Sequence, residues 1–289
     1  MKHLVYILLL STVLVSCSGT STLLPAKPDV LPLAQLPKAI DETSGLIFFN
    51  SYFWTHNDSG GKAEIYAIDP DNGMIIQTVM INNAENIDWE DMTQDENYIY
   101  IADTGNNRGK RREFQIYKIL KNDILAHKNS DAEVKAEIIT FKFDYQPNNL
   151  KLYRHNYDME ALCVLKGQLF IFTKNWKNNK TNLYLIKDGI AQYQKTYNPE
   201  GLVTGVTYDK GNNTMYLIGY HRYIKVNNLS PFIYSITDYN TETEQTKKHL
   251  LTHIKGYQVE GITYVNGKIF FTNEANDQGK QALWEIILD

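Results

Sequence analysis

The sequence predicts an all-β protein that folds as a five-bladed β-propeller. One pattern of short strands occurs five times along the chain, and polar loops separate its Tyr-, Phe- and Ile-rich segments. The last copy ends after three strands, while residues 30–36 have strand character and precede the first copy. An N-terminal strand that completes the last blade would leave no free sheet edge. This closure explains why the strand pattern occurs five times and no more.

Each copy begins with a predicted inner strand that carries a polar residue near its start. Second and third strands follow, which are rich in β-branched and aromatic residues and alternate in polarity like half-buried sheet. Candidate fourth strands cover residues 75–81, 136–143, 191–197 and 247–254. The five openings are Thr43-Ser44-Gly45-Leu46, Trp89-Glu90-Asp91-Met92, Met159-Glu160-Ala161-Leu162, Val203-Thr204-Gly205-Val206 and Val259-Glu260-Gly261-Ile262.

The gap between the second and third openings is the longest and holds an insertion. Residues 121–133 form this extra segment, in which we expect one or two helical turns within the second blade. If the insertion instead hides strands, a six-bladed propeller is the alternative.

Residues 1–16 have the layout of a secretory signal, with a lysine, an apolar run and then small residues. Leu14-Val15-Ser16-Cys17 resembles the bacterial lipobox, in which the cysteine thiol receives a diacylglycerol before cleavage. Cys17 is therefore predicted as a lipidated N-terminus, with residues 17–29 as a tether and residues 30–289 as the propeller. The protein would be exported and lipid-anchored to the bacterial cell envelope, at the outer membrane of a Gram-negative cell. An ordinary cleaved signal with an incidental cysteine is the alternative.

The composition indicates a globular domain with a sizeable core, since 43% of the 289 residues are hydrophobic and 20 are tyrosine. With Cys17 acylated, Cys163 alone remains, so disulfides cannot hold the fold and Cys163 is expected to be a buried apolar residue. Loss of residues 1–16 removes one lysine and makes the formal net charge of −4 more negative by one, which argues against a nucleic-acid partner. We expect a monomer.

Equivalent residues of a propeller lie on a ring around its central channel. Here the ring residues are Ser44, Glu90, Glu160, Thr204 and Glu260. Three carboxylates that converge in a narrow channel would either have raised pKa values or hold a cation. An all-oxygen set without His or Cys suits Ca²⁺ better than zinc. The alternative is that each glutamate is simply solvated at the rim.

These openings resemble those of the soluble calcium-activated nucleotidases, or apyrases, which are five-bladed propellers. In that family Ser, Glu, Glu, Ser and Glu of successive inner strands surround one Ca²⁺, and the resemblance implies the same role for the five ring residues here. Thr204 stands where the family has serine, and Asp91 follows Glu90 where an apolar residue is usual. The chain is more closely similar to uncharacterised bacterial propeller lipoproteins, which imply no chemistry. The segments that carry the apyrase resemblance are Glu42-Thr43-Ser44-Gly45-Leu46, Trp54-Thr55-His56-Asn57-Asp58-Ser59-Gly60 and Val259-Glu260-Gly261-Ile262.

Loops between the second and third strands lie on the same face as the ring, so their polar residues are candidates for a ligand site. Basic residues there would bind an anion such as phosphate, and an aromatic residue would stack on a base or sugar. A carboxylate or histidine near the attacking water would serve hydrolysis. The predicted ligand-binding residues are Asn57, Arg108, Lys174, Trp176 and Arg222. The predicted catalytic residues are Asp58, Asp103 and His221.

The sequence therefore favours a calcium-binding propeller that hydrolyses a phosphorylated small molecule such as a nucleotide. It lacks the Gly-x-Ser-x-Gly, Walker, His-Glu-x-x-His and paired-cysteine motifs, which disfavours the common hydrolase and zinc chemistries. The alternative is a non-catalytic binding module for a glycan or an envelope protein, because propellers serve both roles. A sugar-lactone or phytate hydrolase on a six-bladed relative is a third possibility.

Overall fold

A computed structural model describes residues 29–128, 130–223 and 228–287. Within these ranges the chain is almost entirely strand, and its sheets curl into a propeller-like arrangement. The signal, Cys17 and nearly all of the tether lie outside the described residues. No helix among the residues described is long and apolar enough to cross a membrane.

The strands follow one another as five sets, each beginning with an inner strand. The first set is β2 (Thr43–Phe49), β3 (Tyr52–Asn57), β4 (Glu64–Ile68) and β5 (Ile75–Ile81), preceded in the chain by β1 (Asp29–Gln35) and a 3₁₀ turn (Lys38–Ile40). The second is β6 (Trp89–Gln94), β7 (Tyr98–Asp103), β8 (Phe114–Leu120) and β10 (Ala136–Phe143), with α1 (Lys121–Leu125) and β9 (Ala132–Val134) inserted before β10.

The remaining three sets repeat the same order. The third is β11 (Met159–Leu165), β12 (Gln168–Thr173), β13 (Thr181–Lys187) and β14 (Ile190–Tyr197). The fourth is β15 (Leu202–Asp209), β16 (Thr214–Tyr223), β17 (Asn228–Thr237) and β18 (Gln245–Leu250), followed by a 3₁₀ turn (Thr252–Ile254). The fifth is β19 (Val259–Val265), β20 (Lys268–Asn273) and β21 (Ala282–Ile287).

The N-terminal strand completes the fifth set, as the sequence predicts. β1 pairs antiparallel with β21, so that Val30 lies opposite Ile286 and Gln35 opposite Ala282. Strands from the two ends of the described chain therefore share one sheet, which protects the edge that β21 would otherwise expose.

The inserted segment contains both a helix and a strand. α1 is a single short helix, and β9 pairs in parallel with β5, where Val79 lies opposite Ala132. The insertion thus widens the first sheet to five strands. A second parallel pair, between β10 and β14, joins the second and third sets into one eight-stranded sheet, so that the described strands form four hydrogen-bonded sheets.

Hydrophobic side chains fill the space between successive sets. Successive side chains of a strand point to opposite faces of its sheet, so each set contributes to two cores. In β7, Ile99 and Ile101 point to the core shared with the first set, whereas Tyr100 and Ala102 point to the core shared with the third set. Described residues form five such clusters in all. Cys163 is buried in one of them, which agrees with the prediction of a small apolar role.

The five inner strands pack in a closed order around the centre. β2 packs on β6, β6 on β11, β11 on β15, β15 on β19, and β19 returns to β2. The start of each inner strand therefore faces the same channel.

Candidate functional site

A β-bulge interrupts each inner strand at its predicted ring position. The register of β6 against β7 skips from Trp89 to Asp91, and that of β11 against β12 skips from Met159 to Ala161. The other inner strands shift at the equivalent place. A bulge leaves a residue unpaired and re-aims its side chain. The residues so displaced are Ser44, Glu90, Glu160, Thr204 and Glu260.

Glycine follows three of the ring residues because neighbouring inner strands approach very closely. A Cβ on Gly261 would collide with the carbonyl oxygen of Ser44 on β2. A Cβ on Gly205 would likewise collide with the carbonyl oxygen of Glu260 on β19. The recurrent glycine is therefore a requirement of the narrow channel, which brings the ring side chains together.

Two carboxylate triads meet at Glu90. Asp58, Asp88 and Glu90 place oxygens within 4.8 Å of one another, and Glu90, Asp158 and Glu160 do the same. Clusters of this kind are able to hold a metal ion. Sequence reasoning missed Asp88 and Asp158, although each lies two residues before a ring glutamate in the repeated pattern Asp-x-Glu.

The carboxyl groups of Asp58, Asp88, Glu90 and Glu160 have raised pKa values because burial disfavours their charged forms. Burial, with neighbouring carboxylates, raises the pKa of Asp58 to about 8 and that of Asp88 to about 6. Burial also raises the pKa values of Glu90 and Glu160 well above their ordinary range. Without a cation, the cluster therefore retains protons that a bound cation would replace.

Three buried carboxylate oxygens of the described residues have no hydrogen-bond partner. They are Oε1 of Glu160, a completely buried side chain, Oδ1 of Asp58 and Oδ2 of Asp103. A buried acceptor without a partner costs free energy, so these oxygens are suited to a ligand that supplies positive charge.

Lys174 places one cation within this acidic cluster. Its Nζ lies 2.9 Å from Oε2 of Glu160, and both side chains are buried. Burial lowers the pKa of Lys174, but the Glu160, Glu260 and Glu90 carboxylates more than offset it and hold the pKa well above its usual value. The ammonium predicted to bind an anion is thus already engaged with a ring carboxylate.

The two ring hydroxyls tie neighbouring inner strands together. Ser44 Oγ donates to the carbonyl oxygen of Glu90, and Thr204 Oγ1 donates to that of Val259 at 2.9 Å. Burial raises the pKa of Glu260, and the nearby Lys174 ammonium offsets part of this rise. A cavity lies over the ring, and Ser44 and Glu260 line it, whereas Thr204 does not.

A cavity of about 340 Å³ opens over the ring. It brings together several predicted residues: Asp58, Lys174, Trp176 and Arg222 all line it. Asn107 and Asn276, from two loops predicted to lie on this face, also line it. Its remaining wall includes residues that the sequence did not single out, among them Tyr153, Leu229, Gln258, Asp277 and Gln278.

Asp103 is buried and serves the loop that follows it. Arg111 Nη1 donates to Asp103 Oδ1 at 2.8 Å and to the Gly105 carbonyl at 3.1 Å, while the Asp88 amide donates to the same carboxylate at 3.1 Å. Asp103 does not line the cavity. This predicted catalytic residue therefore holds the backbone that carries Asp88.

Three other predicted residues lie away from the cavity wall. β16 continues to Tyr223, so Tyr220 and Arg222 face the cavity while His221 points to the opposite side, where its Nδ1 lies 3.1 Å from the Glu200 carbonyl. Arg108 is exposed. Asn57 donates to the Ala39 carbonyl at 2.8 Å.

Asp91 bridges three inner strands inside the channel. Its Oδ1 accepts from the Met92 amide at 2.8 Å, and its Oδ2 accepts from the amides of Leu162 on β11 at 2.9 Å and Val206 on β15 at 3.3 Å. These bonds give the Asp91 carboxylate a structural role at a position where an apolar residue is expected from the resemblance.

Fold and site together define a β-propeller with an acidic, bulged ring beneath a cavity. No protein-family model matches the chain, and no curated protein matches it. Solved propeller structures do resemble it. The soluble aldose sugar dehydrogenase of Escherichia coli aligns over 91% of this chain and 100% of its own, with 9% identity and a TM-score of 0.51.

Two galactanases are similar in the same way. The exo-β-1,3-galactanase of Phanerochaete chrysosporium aligns over 90% of this chain and 64% of its own, with 9% identity and a TM-score of 0.54. The exo-β-1,3-galactanase of Clostridium thermocellum aligns over 88% and 62%, with 12% identity and a TM-score of 0.54. At these identities the likeness establishes the propeller fold alone.

Proposed function

We propose that this protein is a Ca²⁺-binding, five-bladed β-propeller that hydrolyses a small phosphorylated, sugar-containing molecule, such as a nucleotide, in the ring-face cavity. The observation that carries the proposal is the meeting of two carboxylate triads at Glu90, which also lines the cavity. Five blades are supported by the closed packing of five inner strands and by the cluster of hydrophobic residues between each pair of sets.

The donor set fits Ca²⁺. All the side-chain donors are oxygens, as a hard divalent cation requires, and a carboxylate-rich set without His or Cys is unlike a zinc site. Oε1 of Glu160 and Oδ1 of Asp58 accept no hydrogen bond, so both oxygens are available to bind the cation. The proposed ligands of the cation are Ser44, Asp58, Asp88, Glu90, Asp158, Glu160 and Glu260. Thr204 would support Glu260 through its hydrogen bond to the preceding carbonyl, that of Val259.

Bound Ca²⁺ would polarise a phosphoryl oxygen and offset the repulsion among the carboxylates. Asp58 lines the cavity, and the carboxylate oxygen that does not contact the cation would orient a water and accept its proton. Arg222 is exposed at the cavity rim, and its guanidinium would bind a phosphate. Lys174 would retain Glu160 in position.

A non-catalytic module that binds a glycan or an envelope protein is the second candidate. The observation that favours it is the engagement of two predicted functional groups, because Asp103 is paired with Arg111 and Lys174 with Glu160. The cation would then lock the ring, and the cavity would recognise its ligand without turnover.

The lipobox-like segment supports a place for this protein in the cell envelope. We propose that a lipid on Cys17 anchors the propeller to the membrane as a monomer. Incorporation of a radiolabelled fatty acid into the wild type but not Cys17→Ala would support the anchor, and equal labelling of both would exclude it.

Phosphate release from a panel of nucleotides and sugar phosphates tests the activity. We expect release in Ca²⁺ and none in a chelator, with loss in Asp58→Asn and Glu160→Gln. Asp71→Asn, an exposed carboxylate in the β4–β5 turn, is the matched control and should behave like the wild type. Ca²⁺ binding without phosphate release from any member of the panel would favour the binding module.

A further inference from the structure

Tyr153 has a backbone conformation that a tyrosine rarely adopts. Its φ is +53°, in the left-handed region that glycine and asparagine tolerate best. Among the described non-glycine residues with positive φ, Tyr153 is the one aromatic residue. Its side chain is 45% exposed, so burial of the ring does not explain why a tyrosine stands there.

Surrounding bonds hold this conformation in place. The Tyr153 amide donates to the Asn107 carbonyl at 3.1 Å, and the Arg154 amide donates to the Lys151 carbonyl at 3.0 Å. His155 Nε2 lies 3.1 Å from the same Asn107 oxygen. Backbone strain that the surrounding structure maintains is typical of ligand-binding positions.

Tyr153 and Trp176 together form an aromatic corner of the cavity. Their ring centroids are 4.6 Å apart and the planes are inclined by 55°. Trp176 Nε1 donates to Asp158 Oδ2 at 2.6 Å, so the indole is fixed to one of the carboxylate triads. The exposed tyrosine ring is thereby presented beside the proposed cation site.

Much of the rest of the wall consists of carboxylate and carboxamide groups, whose oxygens accept hydrogen bonds. Asp58, Glu260 and Asp277 contribute carboxylates, and Asn107 and Gln258 contribute carboxamides. A ligand that matches this wall carries several hydroxyl donors and one apolar face for an aromatic ring. A sugar ring combines both properties.

We propose that Tyr153 is the stacking platform of a subsite for a sugar ring. The subsite rests on the proposed function, because it assigns the sugar of the proposed substrate to this corner of the same cavity. The phosphate would then lie toward Arg222 and the carboxylate triads.

Calorimetric titration in Ca²⁺ with glucose 6-phosphate and glycerol 3-phosphate tests the subsite, because the second probe has the phosphate and no ring. A stacking contact is worth roughly 1 kcal/mol, so we expect glucose 6-phosphate to bind about fivefold to tenfold more tightly to the wild type. Tyr153→Asn, which suits the left-handed backbone, should lose this preference, and Tyr153→Phe should keep it.

The subsite is overturned if the wild type binds both phosphates equally, if it binds neither phosphate and no methyl glucoside, or if Tyr153→Asn keeps the preference. A Tyr153-dependent preference for adenosine monophosphate over glucose 6-phosphate would also overturn it, since the base would then occupy the corner. The proposed function has a separate readout: Ca²⁺-dependent binding of glycerol 3-phosphate, which does not involve Tyr153. Methyl glucoside bound through Tyr153 in a chelator, with no Ca²⁺ effect on either phosphate, would retain the subsite and remove the phosphate chemistry.

Discussion

Nζ of Lys174 lies 2.9 Å from Oε2 of Glu160, in an ion pair whose side chains are 8% and 0% exposed. This pair places a tethered ammonium beside the carboxylates that we assign to Ca²⁺. The ring therefore has one fixed positive charge, and the remaining carboxyl groups either retain protons or, as we propose, bind a cation.

Lys174→Met should destabilise the metal-free protein by about 3–5 kcal/mol, because it leaves a buried carboxylate without its partner. Saturating Ca²⁺ should recover part of this loss, since the cation then interacts with Glu160. Urea unfolding with Ca²⁺ and with a chelator measures both effects. Lys268→Met is the matched control: its ion pair with Glu285 has a lysine that is 52% exposed, so we expect a change of about 0–1 kcal/mol. An equal effect of the two substitutions would contradict the assignment.

Asp91→Asn should lower the free energy of unfolding by about 1–3 kcal/mol, with or without Ca²⁺. An amide group cannot accept from all three backbone amides that the Asp91 carboxylate now bridges. The measurement is the midpoint of urea unfolding at constant m-value. An unchanged midpoint would mean that this bridge does not hold the inner strands.

Gly105→Ala should remove the Ca²⁺-induced increase in thermal stability. The new Cβ would lie against the carboxylates of Glu90 and Asp88 and would push these groups out of the shared triad. Gly61→Ala is the control, because a Cβ at Gly61 meets nothing within 4 Å. Differential scanning fluorimetry in Ca²⁺ and in a chelator compares the two variants. A full Ca²⁺ response in Gly105→Ala would argue against the triad as the binding site.

Stability of the metal-free protein should fall as pH rises. A carboxyl whose pKa is raised on folding makes the folded state bind more protons than the unfolded chain, between about pH 4 and the raised value. That window extends to about pH 6 for Asp88 and about pH 8 for Asp58. In a chelator the thermal midpoint should therefore decrease from pH 5 to pH 8, and saturating Ca²⁺ should flatten or reverse the slope. A midpoint that increases with pH in the chelator would contradict the raised pKa values.

Much of the fold could be predicted from sequence because the strand pattern repeats. The inner strands, the fourth strands and the closing strand at the N-terminus all appear close to their predicted bounds. Ring positions were also predictable, since Glu90, Glu160 and Glu260 keep register with the repeat. The bulges that aim these residues into the channel depend on contacts between neighbouring strands, which a strand pattern does not encode.

The loops were less predictable, for physical reasons that differ from residue to residue. Asp103 and Lys174 have the residue types of functional groups, but their roles depend on partners, Arg111 and Glu160, that only the tertiary structure reveals. His221 is predicted to lie in a loop on the ring face, but β16 continues to Tyr223 and turns His221 away from the cavity. The repeated Asp-x-Glu of Asp88 and Asp158 was a signal present in the sequence.

Calorimetric titration of the purified protein with Ca²⁺ at neutral pH tests the central claim most directly. We expect saturable binding with release of protons, and a thermal midpoint that increases with Ca²⁺ concentration, because a ligand that binds only the folded state stabilises it. Glu160→Gln should weaken binding by at least about tenfold, since a charged ligand oxygen of the ring is lost. No heat of binding and no change in the thermal midpoint at millimolar Ca²⁺ would contradict the account.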